Sequence, residues 1–459
     1  MTMLKEIDIT KQRTTDRMEK KNLYDTLTES FGQVYAQFEH TESTSLLAKR
    51  KAAFDLFAQQ NFPTTKNEEW RFTNITPFVN ESYALHSCNE VEQSTIQEAI
   101  EKATIPNLDA YLLVLVNGVI NHEFSNLPSS ENIKIQTIDE VKNIAGFDKF
   151  VNKTIDVAKF PFAALNTAFF EDGYFIELKK NFQLDKSLQI IHVYSEKENV
   201  FLQPRNIVKL AQGTACNIIE TSVCISKDTV FVNSFTEVFV EENAYFRHAH
   251  FQRGNANERW IVHTQVEQEQ NSRYDNYTIT LPQADLVRNN LNVVLDGKNT
   301  ETHLYGLYLV GDKHLVDNHS KIDHKYPNCE SNQLYKGVIL DGGRGVFNGK
   351  IYVHRPAQKT NAFQQNNNLL FSPNAVINSK PQLEIFADDV KCSHGSTVGQ
   401  FNEESLFYLR SRGVGEESAK SMLVNAFMFD VTEKIKNEAL RSYLEHLIED
   451  TIEKAQKEL

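Results

Sequence analysis

The spacing of apolar residues changes three times along this 459-residue chain, and each change predicts a change of structure. Between residues 22 and 60, Leu46, Leu47, Phe54 and Phe57 recur near three, four and seven apart, which predicts helix, and Pro63 follows where a helix should stop. To about residue 186 the signals mix: one strand, 111–116, turns at Asn117-Gly118, and a small α/β region is expected around it. From 188 to 398 short segments rich in Val, Ile, Phe, Tyr and Thr predict strands at 206–210, 216–225, 230–240, 260–266, 304–310, 347–353 and 383–386. In one of them Phe347, Ile351 and Val353 keep one parity while Asn348, Lys350 and His354 take the other, the mark of a half-buried strand. After residue 401 helical spacing returns. Leu406 and Leu409 precede a Gly413 stop, and Glu416-Glu417 start a helix with an Ala419, Leu423, Ala426, Phe427 stripe. A last helix carries Leu440, Leu444, Leu447, Ile448 and Ile452. These stripes suit packing in a core, and a helical cap also offers a docking platform.

The expected organisation is therefore an N-terminal helical and mixed α/β region (1–186), a β core (187–400) and a C-terminal helical region (401–459). A sandwich, a barrel and a solenoid all satisfy so many short strands. Two features favour a solenoid. Gly306, Gly311, Gly337 and Gly349 sit in or beside strands, where tight corners would use their freedom, and Gln364-Gln365-Asn366-Asn367-Asn368 offers amides for ladders between stacked strands. An exposed loop accounts for that polar run equally well, and no fixed repeat length is visible.

Composition narrows the function classes. With 41% hydrophobic and 24% charged residues the chain can bury a large core, and a net charge of -13 argues against a nucleic-acid footprint or attraction to anionic membrane. No apolar run approaches the ~20 residues of a membrane span, and Met1 to Lys21 is charged throughout, so a cytosolic protein is expected. Five scattered cysteines (Cys88, Cys216, Cys224, Cys329, Cys392) suit a reducing compartment.

Candidate chemistry is sparse. The run Gly342 to Lys350 imitates a phosphate loop but has Arg344 where glycine is needed and Ile351 where Ser or Thr is needed, so no ATP site is expected here. Asp388 and Asp389, read as strand neighbours, would point to opposite faces and cannot converge as a hydrolytic pair; Asp317, Asp323 and Asp341 share no recognisable spacing. His248 and His250 would share a strand face and are either structural or metal-binding; His303, His314, His319, His324 and His354 add single histidines. Cys392 and His394 would also share a face, with Cα atoms about 7 Å apart. Two ligands are half of an iron-sulfur set, so such a site would need another chain.

The run Ala387 to Gln400, which contains Lys391-Cys392-Ser393-His394-Gly395, together with Leu406-Phe407-Tyr408-Leu409-Arg410-Ser411-Arg412-Gly413, strongly resembles the SufD family. Asn67-Glu68-Glu69-Trp70-Arg71-Phe72-Thr73 resembles that family's N-terminal signature, and the stretches 349–351 and 366–370 resemble its core. SufB-like sequences resemble His-Glu-Ala-Thr where this chain has Ser393-His394-Gly395-Ser396, which favours the SufD reading. The resemblance implies a mainly β protein, a right-handed parallel β-helix flanked by N-terminal α/β and C-terminal α-helical regions. It implies a non-catalytic subunit that pairs with SufB through the β-helix and docks the SufC ATPase through its C-terminal helices. Sulfur would come from a cysteine desulfurase system, and a transient iron-sulfur cluster shared with SufB would form at His394 and Cys392. Leu406, Tyr408, Arg410, Arg412 and Gly413 would meet the ATPase. A reduced flavin in the complex is a further implied cofactor.

Overall fold

A computed structural model describes residues 21–85, 91–281, 284–400 and 402–457; the charged Met1 to Lys20 stretch and Cys88 lie outside the described residues. Alternating side chains within each strand, and glycine- or asparagine-bearing breaks between strands, produce a parallel β-solenoid of about 8 turns. Its two ten-stranded sheets enclose a lumen. One sheet climbs from Ser187–Tyr194 through Ala215–Cys224, Tyr245–Arg253, Arg273–Leu281, Glu301–Val310, Glu330–Ile339 and Asn361–Leu370 to Lys391–Gln400. The other climbs from Arg205–Leu210 through Val230–Val240, Glu258–Gln268, Leu286–Leu295, Leu315–His324 and Arg344–Val353 to Val376–Ile385.

Successive turns are not equal in length. Stacked side chains are 28 residues apart for Asn271 and Asn243, 29 for Asn289 and Asn318, 30 for Thr397 and Asn367, and 31 for Gln364 and Gln333. A drifting period of this kind hides the repeat from inspection. The sheets also run into the N-terminal region. Ala110–Val116 pairs in parallel with Ser187–Tyr194, and Tyr174–Leu178 pairs with Arg205–Leu210. At this first end the sheets finish on short antiparallel strands, Val119–Ile120 and Ile133–Thr137.

The corners are made by asparagine. Asn181, Asn243, Asn271, Asn299 and Asn328 all hold φ between 56° and 61°, the left-handed region that Asn tolerates through local hydrogen bonding. Asn299 donates to Asn271 at 3.0 Å and Asn271 to Asn243 at 3.2 Å, a ladder on the outer edge. The strand glycines therefore have another purpose: none of Gly306, Gly311, Gly337 and Gly349 has a positive φ. Gly306 stands beside Tyr335 and Gly337 beside Tyr308, so each glycine lies under a ring of the neighbouring strand, where a Cβ would come within 2.1 and 2.4 Å of ring carbons. The polar run 364–368 is strand, not loop: Gln364, Asn366 and Asn368 face the lumen, and Gln364 Nε2 donates to Gln333 Oε1 at 2.9 Å.

Helices cover each sheet's outer face. In the N-terminal region Leu23–Glu39, Thr44–Gln60 and Pro161–Phe169 pack Phe31, Phe57, Phe162 and Leu165 against Phe201, Phe231, Ile261 and Leu286. A fully buried Arg205–Glu237 pair, with Asn152 on the guanidinium, pins this region; removing one partner of such a pair costs about 3–5 kcal/mol. On the opposite face Glu416–Thr432 and Glu438–Lys457 pack Val424, Met428, Val431, Leu444 and Ile448 on Tyr277, Leu307, Leu309 and Val338. The last helix buries the expected residues. In the helix before it the buried stripe is Ala419, Val424, Met428 and Val431, with Ala426 exposed, because the sheet selects the face it covers. No described helix is long and apolar enough to cross a membrane.

Gly306→Ala should lower the melting temperature, since overpacking a lumen costs about 1–3 kcal/mol; an unchanged melting curve would refute the role assigned to the glycine–tyrosine contacts.

Candidate functional site

Both sheets end at the C-terminal end of the solenoid on ten-residue strands with no further neighbour among the described residues, Val376–Ile385 and Lys391–Gln400. Such edges present unpaired backbone donors and acceptors. Cys392 lies in register with Ala362 and His394 with Gln364. Ala362 and Gln364 are buried toward the lumen, so strand alternation puts Cys392 and His394 on the lumen-facing side of the last turn. They share a face, as their spacing predicts, and that face is the mouth of the lumen.

Neighbouring hydroxyls and amides build the rest of the mouth. Ser396 and Ser379 bring their hydroxyls within 2.8 Å across the two edge strands, and Ser379 donates to Asn366 Oδ1 at 2.8 Å. Asn366 accepts from Asn368 at 2.7 Å, so the mouth continues as a hydrogen-bonded chain into the lumen. Cys392 is half-buried beside Ile351, Val353, Ala357 and Ala362, and burial pushes its thiol above the ordinary range. His394 is exposed. Exposed Val376, Ile385, Phe386 and Val398 surround the mouth with apolar surface.

The other candidates separate cleanly. Among the described residues, no group of three or more His, Cys, Asp and Glu side chains converges as a metal site. His248 and His250 do share the lumen face, but His248 Nε2 lies 2.6 Å from Glu220 Oε1 and His192 Nε2 lies 2.7 Å from Oε2. Burial alone would raise the Glu220 carboxyl; the two imidazoles outweigh it and hold the group well below its ordinary range. Asp388 and Asp389 lie in the exposed bend between the last two strands, not on a strand, because the corner falls there; Asp389 pairs with Lys359. Asp317 is buried against Arg288. The glycine run 342–350 is a turn entering the strand Arg344–Val353, with no helix behind it to receive a phosphate.

On the helix Glu403–Ser411 the candidate contact residues split. Leu406 is buried and holds the helix down, so its side chain is withdrawn from any partner. Phe407 and Tyr408 are 74% and 58% exposed. Arg410 pairs with Glu416 at 3.1 Å, Arg412 lies 5.4 Å from the Tyr408 ring, and Gly413 stops the helix at φ 85°. Phe407 stands inside the run that resembles the family but not among the expected contact residues; its exposure, visible only in the fold, sets it apart.

The segment 67–73 is a strap across the outer face of the last turns. Arg288 stacks on Trp70 at 3.7 Å, Glu69 accepts from Asn348 at 3.0 Å and lies 3.3 Å from His319, Thr73 donates to Asp317, and Glu68 pairs with Lys380 at 2.5 Å. The hydrogen bond from His319 holds Glu69 below its ordinary pKa. Lys380 adjoins Ser379, so the strap reaches the mouth.

Two family descriptions match the chain: the SufBD core domain of the SUF iron-sulfur cluster assembly system over residues 192–427, and the SufBD N-terminal region over residues 19–190. The chain is 30% identical over 431 residues to an iron-sulfur cluster assembly SufBD family protein of Synechocystis sp., covering 90% of this chain and 92% of that one. It is 28% identical over 383 residues to the iron-sulfur cluster assembly protein SufD of Escherichia coli, covering 83% and 86%. A SufBD family protein of Staphylococcus haemolyticus is 26% identical over 404 residues, 86% of each chain.

The raised thiol yields a pH prediction. Near neutral pH Cys392 should be alkylated by iodoacetamide more slowly than free cysteine, accelerating only above the ordinary thiol range; mass spectrometry of the Cys392 peptide showing a rate equal to free cysteine would contradict its burial.

Proposed function

Because the chain belongs to the SufBD family of iron-sulfur cluster assembly proteins, we propose that it is the SufD-type, non-catalytic half of a cytoplasmic SufB-SufC-SufD complex. The observation that carries this reading is the open mouth: two ten-residue edges, rimmed by apolar side chains, with a thiol and an imidazole at the centre. Pairing with the corresponding edges of SufB would satisfy the backbone groups and bury the rim.

Cys392 and His394 supply a thiolate and an imidazole, half of what a cluster requires, so SufB contributes the remainder. The cluster is cargo in this scheme. Loss of the proton makes Cys392 a ligand, and its burial makes that loss unfavourable until iron or a cationic partner arrives. His394 has no buried partner to break and can turn toward iron. The mouth offers hydroxyls, a thiol and an imidazole with no enclosing aromatic wall among the described residues, which does not fit a flavin.

SufC docks on the exposed face of Glu403–Ser411, through Phe407, Tyr408, Arg410 and Arg412. Motion of SufC on ATP binding would reach the mouth through the short connection between Gln400 and Glu403. A purely structural adaptor is the second reading, and the lack of a full ligand set among the described residues is compatible with it.

His394→Ala should leave the complex assembled and lower the iron and sulfide recovered on it; an unchanged yield would sink the ligand role and favour the adaptor. Phe407→Asp should abolish co-purification with SufC while the fold survives, since the side chain is exposed, and persistent co-purification would count against the docking face.

A further inference from the structure

Deep in the lumen, one carboxylate is bonded by two imidazoles. Glu220, on the strand Ala215–Cys224, is buried and faces inward. His248 Nε2, from the next turn, lies 2.6 Å from its Oε1, and His192 Nε2, from the turn before, lies 2.7 Å from its Oε2. Tyr174 donates to Oε1 at 3.2 Å from the other sheet, so the carboxylate links the two sheets across the lumen. Carboxylate oxygens only accept, so both Nε2 atoms turn their hydrogens toward Glu220.

A buried charge needs a counter-charge. On the outer faces Glu237 has Arg205 and Asp317 has Arg288. Glu220 has no such cation; among the described residues its ion-pair partners are the two histidines. A second lumen carboxyl shows the outcome without imidazoles. Glu258 accepts from the Asn255 backbone at 2.6 Å, its other oxygen has no partner, and burial pushes the group up to about 8, so it keeps its proton near neutrality. Burial acts to raise Glu220 as well, but the hydrogen bonds from His192 and His248 outweigh it and hold the group well below the carboxylate range. Glu220 is therefore ionised, and the balancing proton rests on an imidazole. The geometry selects which one. His248 Nδ1 is buried with no partner, so an N–H there would have no acceptor; His192 Nδ1 is not left in that state. His250, in register beside Glu220, is held down to about 4 by burial and stays uncharged. The other titratable groups of this stretch, Tyr174, Tyr194, Tyr274, Cys216 and Cys224, are all raised by burial and stay neutral.

We propose that His192, Glu220 and His248 hold one buried proton, seated on His192, and that this proton makes the lower lumen a pH-sensitive clasp. With the proton in place the carboxylate has a cation, a neutral imidazole donor and Tyr174, and it ties three turns of one sheet to the other sheet. Without it a lone negative charge sits in an apolar lumen, and the lower turns loosen. The depressed carboxyl keeps the clasp intact below the ordinary carboxylate range; the clasp is lost as pH rises and His192 gives up its proton. Glu258 adds a loss of the same sign, because unfolding releases a proton that it holds up to about 8; comparison between variants removes that contribution. The lumen column above His248 runs through Asn276, Leu304, Gln333 and Gln364 to His394. Leu304 interrupts its polarity, so the clasp belongs to the lower turns and stands apart from the assembly reading.

Hydrogen exchange on the full chain, read by mass spectrometry and corrected for the intrinsic effect of pH, tests the clasp. Wild-type protection of the strands 187–194, 215–224 and 245–253, relative to the distant strand 344–353, is the quantity to follow. It should fall about tenfold between about pH 6 and about pH 9, the scale of one charge-assisted hydrogen bond. Glu220→Gln, whose amide accepts from one imidazole and donates to the other without a charge, should abolish the fall, and so should His192→Gln. His248→Gln keeps a neutral donor and should retain it. Melting curves check that each variant folds, and His192→Gln decides the matter if Glu220→Gln does not fold. Wild-type protection that is constant with pH overturns the proposal, as does a fall of equal size in Glu220→Gln or His192→Gln. A fall lost in His248→Gln and kept in His192→Gln would overturn the seat on His192.

Discussion

A parallel ladder of backbone hydrogen bonds has to end, and how its two ends differ organises this molecule. Every inner strand has a neighbour on each side. At the N-terminal end the ladder is closed by short antiparallel strands of two and five residues, which leave little edge exposed. At the other end two ten-residue strands stop with no cap among the described residues. Unpaired edges of that length are a liability in an isolated protein. Their retention, with an apolar rim and with Cys392 and His394 between them, is the feature on which the proposed pairing at this end rests.

The lumen explains how so polar a β-structure holds together. Its lower part is aliphatic and aromatic around the buried Glu220, His192 and His248 group, and toward the mouth it turns to amides and hydroxyls. Buried polar groups are tolerable only when bonded. Gln333 bonds Gln364 from one turn to the next, Asn368 bonds Asn366 along one strand, and Ser379 meets Ser396 across the two sheets, while Gln364 Oε1 is left without a partner. The reciprocal fit of Gly306 under Tyr335 and Gly337 under Tyr308 sets the width of the lumen at the same level. Polarity there is continuous with the mouth, so the site is the end of an internal network and not a patch added to a surface.

The helical regions divide the outer faces between them. The N-terminal helices and the strap hold one sheet, and the C-terminal helices hold the other. Each makes contact near the last turns: the strap through Glu68 and Lys380, and the C-terminal region through Lys336 with Asp430 and the chain following Gln400.

Much of this was readable in the sequence, for a local reason. Period-two alternation located the strands, helical spacing located the tail, and the motif around Cys392 and His394 placed the chain among the SufBD proteins, because each signal lies within some ten residues of chain. Alternation also put those two side chains on one face. What no local signal carries is which neighbours stand about thirty residues away. The turn length drifts from 28 to 31 residues, so only the folded register shows that Gly306 makes room for a tyrosine, that Leu406 is turned inward while Phe407 is not, and that Lys321 stands beside Lys350. Sequence determined the elements and the family; tertiary structure decided which face became lumen, which end stayed open, and which distant residues became neighbours, because stacking is a long-range choice made by packing and hydrogen-bond register.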